Sequence, residues 1–327
     1  MKKFQIFKRI RKPSPNPAKF LRLNRAEFGS SYKKKNYDYE NYYPDITPLI
    51  KSVSKFFNIS KNLIYLGGGG ESIIKDIFLL MFLKSKKTLL FNPSNFFMYQ
   101  YYSDLFNFKK YEFLNYPNDV NYFDKKFIKS NLQNKKIDFL ILVNPSHPFE
   151  NFLGKNKLKY ILDVCKKRKI FVLLDEVYLT NNKLSFLNFI KKYDNLIILK
   201  SLSKIPGSPG LRVAFAFAQE KIINEINTVR LAIELPEYNI RKASMQLNRP
   251  KKYIYPKIEQ IINARSYAHK EFKKRNIKSY GKFGNSVTAL LDSKDQTIQV
   301  GKYLEKKNIL INYRYSYPFD KYINLTT

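Results

Sequence analysis

The chain has no tryptophan, one cysteine and only 11 glycines among its 327 residues. A single cysteine excludes a disulfide framework. No apolar run is long enough to cross a membrane, and the first residues, Met1-Lys2-Lys3-Phe4-Gln5, lack the apolar stretch of a secretory leader. A cytoplasmic location with no membrane partner is therefore expected, and no metal. Acidic residues are scarce: 26 Asp and Glu stand against 60 Lys and Arg, a formal charge of +34. Such an excess attracts polyanions and phosphorylated or carboxylated small molecules. The basic residues run from end to end, however, and are not gathered into a stripe. Lys, Asn, Ile, Phe and Tyr also share codons rich in A and T, so coding bias accounts for this vocabulary in almost any fold. No specific nucleic-acid partner is expected.

What the chain does carry is a succession of apolar runs that end in polar loops, in a length that buries a large core and divides into two domains. In Ile170-Phe171-Val172-Leu173-Leu174, five consecutive apolar residues suit a central parallel strand covered on both faces. Asp175-Glu176-Val177-Tyr178 follows at its carboxyl end, where open α/β sheets place ligands. About thirty residues later, Asn195 to Leu199 and Val213 to Ala218 read as two buried strands. The loop between them holds Ser201, Ser203, Lys204 and Arg212. Two hydroxyls and a guanidinium suit a phosphate and leave the Lys204 amine free for covalent chemistry. Alone, Asp175 reads equally well as a helix cap and the loop as a basic turn. Together they supply an acid for a protonated ring nitrogen (Asp175), a phenol for a ring oxygen (Tyr178), an amine for an imine (Lys204) and a phosphate site, which is the set pyridoxal phosphate requires.

Leu174-Asp175-Glu176-Val177-Tyr178, Ser201-Leu202-Ser203-Lys204 and Gly210-Leu211-Arg212 resemble the fold-type I pyridoxal-phosphate aminotransferases. Within them they resemble the histidinol-phosphate aminotransferase branch, which includes the related threonine-phosphate decarboxylases. The resemblance runs from about Leu23 to the carboxyl end. It implies a doubly wound, mostly parallel α/β sheet with a smaller α+β domain: an arm and part of the small domain over 1–45, a large cofactor-binding domain over 46–235 and the small carboxyl-terminal domain over 236–327. It also implies a homodimer, in which Tyr43, ahead of Pro44-Asp45, reaches the cofactor phosphate of the other subunit. Gly67-Gly68-Gly69-Gly70-Glu71-Ser72 resembles the family's Gly-Asn-Gly-Ser-Asp-Glu loop and places Gly69, Gly70 and Glu71 at the phosphate-facing positions of a strand-to-helix turn. Phe96 matches the aromatic that lies over the cofactor ring.

Two departures stand out. Asn144-Pro145-Ser146-His147-Pro148-Phe149-Glu150 resembles Asn-Pro-Asn-Asn-Pro-Thr-Gly, with His147 in place of the asparagine that bonds the ring oxygen. The family closes on Leu-Arg-Ile-Thr, whose arginine grips the substrate carboxylate, and this chain has Asn324 there. Arg314 is then the expected cationic anchor, with Arg25 and Arg230 as competitors, and Tyr238 and Asn239 match a proline, aromatic, asparagine turn. Transfer of an amino group between an amino acid and a 2-oxoacid is the expected reaction. Three alternatives stay open on sequence alone: decarboxylation of the threonine-phosphate type, a cofactor-binding paralogue without transamination, and a non-enzymatic basic interaction module. Helices are expected over Ile46–Phe57, Lys157–Arg168 and Ile258–Lys274, and short strands over Val287–Leu291, Thr297–Val300 and Asn308–Asn312.

Overall fold

The computed structural model describes residues 43–118, 123–232 and 234–327. The arm before Tyr43, including Leu23 and Arg25, lies outside them. The chain opens with α1 (Thr47–Phe57), β1 (Ile64–Gly67), α2 (Gly70–Leu83), β2 (Thr88–Phe91), α3 (Phe97–Leu105) and β3 (Lys109–Glu112). Next come α4 (Lys125–Ile128), β4 (Phe139–Val143), α5 (Lys155–Lys167), β5 (Phe171–Asp175), β6 (Leu196–Ser201), β7 (Ala214–Phe217) and α6 (Glu220–Val229). The remainder is α7 (Glu237–Asn248), α8 (Pro250–Tyr253), α9 (Tyr255–Lys274), β8 (Ser279–Tyr280), β9 (Ser286–Leu290), α10 (Lys294–Lys306) and β10 (Tyr322–Thr326).

Among the described residues, seven strands form one sheet in the order β1-β7-β6-β5-β4-β2-β3. Neighbours from β6 to β3 are parallel, and β7 runs antiparallel to both β6 and β1. This is the expected doubly wound, mostly parallel sheet. Alternation of side chains splits the apolar runs between two cores. Leu140, Leu142, Val172 and Leu174 face a layer shared with α1, α5 and α7, and Phe139, Ile141, Val143 and Leu173 face one shared with α2, α3 and α6. Both faces of β4 and β5 are thus covered, which is why these strands read as unbroken apolar runs. Strand order reverses between β2 and β4, so the loops leaving those two strands diverge and open a crevice at the carboxyl edge.

A second, antiparallel sheet, β10-β9-β8, lies near the carboxyl end. Here the structure corrects the sequence reading. The alternating Thr297-Ile298-Gln299-Val300 suggests a strand by its period of two, yet it lies inside α10. The Ser293 hydroxyl caps that helix by accepting from the Gln296 amide at 3.1 Å, and Asp295 stands in its first turn. At Gly301 the helix passes so close to the Tyr313 ring that no side chain fits between them. Asn308–Asn312 forms no strand either: only Asn312 pairs, as an isolated antiparallel bridge to Asn324. Helix α7, which follows the expected boundary at residue 235, packs on α1 through Ile240, Ala243 and Leu247 in the core of the large sheet.

Candidate active site

Asp175 ends β5 with its side chain buried at the carboxyl edge of the sheet. Its carboxylate accepts the Tyr99 hydroxyl at 2.5 Å and the Val177 amide at 2.8 Å. Burial raises its pKa from 3.8 to about 6, although both hydrogen bonds oppose that rise. A buried anion held by two donors is a strong acceptor for one further proton-bearing group. Tyr99 comes from α3, whose first residues also position Phe96: the two rings meet edge to face with centroids 5.9 Å apart. Phe96 is half-buried beside the residue that holds Asp175.

His147 reaches the same crevice from the turn after β4. Its backbone amide donates to Asn95 Oδ1 at 2.9 Å, which ties the loops of β2 and β4 together where the strand order reverses. The imidazole stacks on Tyr178, with centroids 5.2 Å apart and planes 13° from parallel. The Lys204 Nζ lies 5.4 Å from the same Tyr178 ring centroid. Burial and the neighbouring Lys204 charge hold the His147 pKa down at about 4, so the imidazole is neutral at physiological pH. Burial and the nearby Asp175 and Glu150 carboxylates push the Tyr178 phenol well above 10. Phenol and imidazole therefore both enter the crevice uncharged.

Of the residues expected to hold a phosphate, Ser201 and Ser203 lie together and Arg212 lies against the glycine loop. Ser201 Oγ and Ser203 Oγ are 2.9 Å apart, and the Ser203 amide donates to Ser201 Oγ at 3.0 Å. Gly69, the residue before α2, has φ +100°, and a Cβ built there would fall 2.6 Å from an Arg212 guanidinium nitrogen. Glycine is required on both counts: the backbone is left-handed, and the guanidinium occupies the space of a side chain. The amides opening α2 from Gly70 onward thus lie beside a guanidinium, an arrangement suited to an anion such as a phosphate. Asn239 steadies this loop by donating to the Leu211 carbonyl at 2.9 Å.

Other expected residues lie elsewhere. Glu71 is exposed and accepts from the Tyr102 hydroxyl at 3.4 Å. Tyr238 is exposed, with Lys242 over its ring at 5.5 Å. Arg314 points outward: its guanidinium bonds the Tyr313 hydroxyl at 2.7 Å, lies 3.6 Å from Glu305, and its side chain is 71% exposed. Asn324 is buried in β10 and donates to Thr288 Oγ1 at 2.7 Å. Arg230 lies over Tyr65, with its guanidinium carbon 5.0 Å from the ring centroid. Tyr43 is exposed on this chain.

Sequence reading missed four participants. Tyr99 stands three residues after Phe96 in the same helical turn, and that spacing is the signal that could have found it. Glu176 forms a buried ion pair with Lys200 at 2.9 Å behind the Lys204 loop. Glu234 brings a carboxylate to the Ser72 hydroxyl beside the glycine loop. Glu150 stands where the resemblance carries glycine, and it bonds to the segment before β9. The last three contacts span long stretches of chain and have no local signature.

A family model described as aminotransferase class I and II matches residues 34–317. The histidinol-phosphate aminotransferase of Clostridium beijerinckii is 25% identical over 290 residues, which cover 87% of this chain and 77% of that protein. Among solved structures, histidinol-phosphate aminotransferase from Sinorhizobium meliloti in complex with pyridoxal-5'-phosphate aligns with a TM-score of 0.77 at 15% identity, covering 88% of this chain and 78% of that one. The L-threonine-O-3-phosphate decarboxylase of Porphyromonas gingivalis aligns with a TM-score of 0.71 at 20% identity, over 89% and 87%. At such identities these structures speak for the fold.

Proposed function

The chain belongs to the class I and II aminotransferases, and on that premise we propose that it transfers an amino group between a phosphorylated, histidinol-phosphate-like amino compound and a 2-oxoacid. Its cofactor is pyridoxal 5'-phosphate. The residues fit that group: a buried carboxylate faces a crevice lined by Lys204, Tyr178 and His147, and Arg212 lies against the glycine loop. The single observation that carries the reading is Asp175, whose buried anion gains most from a proton-bearing ring nitrogen.

When bound, the cofactor supplies a protonated ring that takes up the electron pair left at the substrate's Cα. Asp175 keeps the proton on the ring nitrogen, because an adjacent anion favours the charged form. Tyr178 and His147 offer neutral donors to the ring oxygen, and Phe96 limits movement of the ring. Ser201, Ser203, Arg212 and the amides that open α2 from Gly70 onward would bind the phosphate; the Gly69 amide already donates to the Gly67 carbonyl. Lys204 would hold the cofactor covalently, and its amine would move the proton at the substrate's Cα.

We assign the exposed Tyr43 to the cleft of a second copy, which makes the active form a homodimer, and we place the enzyme in the cytoplasm with no nucleic-acid or membrane partner. Among the described residues no helix is long and apolar enough to cross a membrane. The division we propose is a large domain over 46–235 and a smaller one over 236–327, with α7, the first helix of the latter, packed on α1. Asn324 is committed to Thr288 and Arg314 faces outward beside Glu305, which leaves Arg25 and Arg230 as the candidate substrate anchors.

The test is a half-reaction of cofactor-loaded protein with a panel of phosphorylated and unphosphorylated amino acids and amines, on the parent, Arg25→Ala, Arg230→Ala and Arg314→Ala. The expected result is oxo-product from phosphorylated members, weakened by Arg25→Ala or Arg230→Ala and unaffected by Arg314→Ala. Release of carbon dioxide, or no conversion by the parent, contradicts the transfer reading.

A further inference from the structure

Glu150 has three properties that rarely coincide. It is 4% exposed, it carries a full carboxylate, and its backbone is left-handed at φ +57°. The resemblance has glycine at this position, the residue such a φ favours. A glutamate buried and strained here requires strong compensation, and the compensation lies across the cleft. Oε2 accepts the amides of Phe283 at 2.8 Å and Gly284 at 2.7 Å, and Oε1 accepts the Ser286 amide at 3.1 Å and the Ser286 hydroxyl at 3.2 Å. Four donors on one buried carboxylate form a charge-assisted latch between the turn after β4 and the loop leading into β9.

Both ends of that latch lead to the active site. Three residues before Glu150, in the same turn, is His147. On the opposite wall, the Phe283 carbonyl accepts the amide and hydroxyl of Thr180 at 3.0 and 2.7 Å, two residues after Tyr178. The 281–286 loop therefore holds the two segments that carry the stacked His147 and Tyr178 rings. A second strut runs alongside: Thr288 Oγ1 donates to the Pro148 carbonyl at 2.6 Å and accepts from Asn324. Gly281 and Gly284 admit the carboxylate at close range, and a Cβ at Gly284 would collide with Glu150 Oε1. Arg265 adds a cation beside the latch by donating to the Gly284 carbonyl.

We propose that Glu150 is a positioning residue: its carboxylate joins the smaller sheet to the 144–150 turn and thereby fixes His147 and Tyr178 against the cofactor ring. The proposal rests on the pyridoxal-phosphate reading of the site. It differs from a purely structural role in one respect, since loosening the latch changes the setting of the ring without removing any group that touches the cofactor.

Glu150→Gln and Glu150→Gly separate the effects. Glutamine keeps the shape but turns an amide donor toward amide donors, whereas glycine relieves the backbone and removes the acceptors. Leu158→Ala, in the buried face of α5, serves as a destabilised control. Hydrogen exchange is read over 279–288 and 177–181 on the apoprotein, and visible circular dichroism per bound cofactor on the loaded protein. Both Glu150 variants are expected to exchange the Phe283, Gly284 and Ser286 amides roughly tenfold faster or more, as loss of a charge-assisted bond implies. They are also expected to lose visible dichroism, and Leu158→Ala to retain both signals. Should both Glu150 variants unfold, Thr180→Val removes only the hydroxyl bond to Phe283 and is expected to shift both signals the same way. Parent-like exchange, or faster exchange with unchanged dichroism, overturns the proposal. A parent that takes up no cofactor ends the reading beneath it, and the exchange measurement, which needs no cofactor, tells the two failures apart.

Discussion

Replacing Asp175 with asparagine is expected to stabilise the apoprotein and at the same time abolish its use of cofactor. The folded carboxyl has its pKa raised from 3.8 to about 6 by burial. A carboxyl raised on folding binds its proton more tightly in the native state, so its contribution is greatest below pH 4. That contribution is lost as pH rises through about 6. At about 1.4 kcal/mol per pH unit, the ionised native chain above pH 7 is roughly 3 kcal/mol less stable than it would be with an ordinary carboxyl. Asparagine removes that cost and retains an acceptor for the Tyr99 hydroxyl, which now bonds Asp175 at 2.5 Å, although its NH2 then faces the Val177 amide and offsets part of the gain. Urea unfolding of apoprotein from pH 4.5 to 8 should show parent stability falling across the window and a flatter profile for Asp175→Asn, with the variant the more stable above pH 7. Pyridoxal phosphate should bind the variant weakly. A variant less stable than the parent at pH 7.5, with the parent's slope retained, would refute the claim that Asp175 is a buried anion awaiting a partner.

Three further outcomes are expected. Gly69→Ala forces a side chain into a left-handed position beside Arg212; it should cost roughly 1–3 kcal/mol of stability and weaken capture of pyridoxal phosphate and inorganic phosphate alike in spectral titration. Glu176→Gln leaves Lys200 buried without its ion-pair partner and should destabilise by about 3–5 kcal/mol in chemical denaturation, whereas an unchanged midpoint would contradict the buried pair. His147, its pKa lowered to about 4, should show no protonation in an NMR titration of the apoprotein above pH 5.5. The stability it contributes is present above pH 6.5 and fades as pH falls toward 4, and titration near 6.5 would place the ring in solvent.

The large sheet was legible because β4, β5 and β6 are buried on both faces and so must be written as continuous apolar runs. Asp175, Ser201, Ser203, Lys204 and Arg212 were legible because chemistry and spacing coincided at strand ends. The smaller sheet misled where helix caps overruled local periodicity, as Ser293 does for Thr297 to Val300. Charge alone could not tell Arg314 from an anchor, since its direction is set by the Tyr313 hydroxyl and Glu305. Glu150 was invisible for a different reason: its partners lie about 130 residues away, and a latch of this kind depends on which loops the topology brings together.

The most direct test of the central claim is reduction of cofactor-incubated protein with borohydride, followed by peptide mass mapping. The expected result is one pyridoxyl adduct on Lys204, with loss of a visible band near neutral pH, in the parent and Arg314→Ala but not in Lys204→Ala. Modification scattered over the surface lysines, or a parent that gains no adduct at Lys204, would contradict assignment of this crevice as the cofactor site.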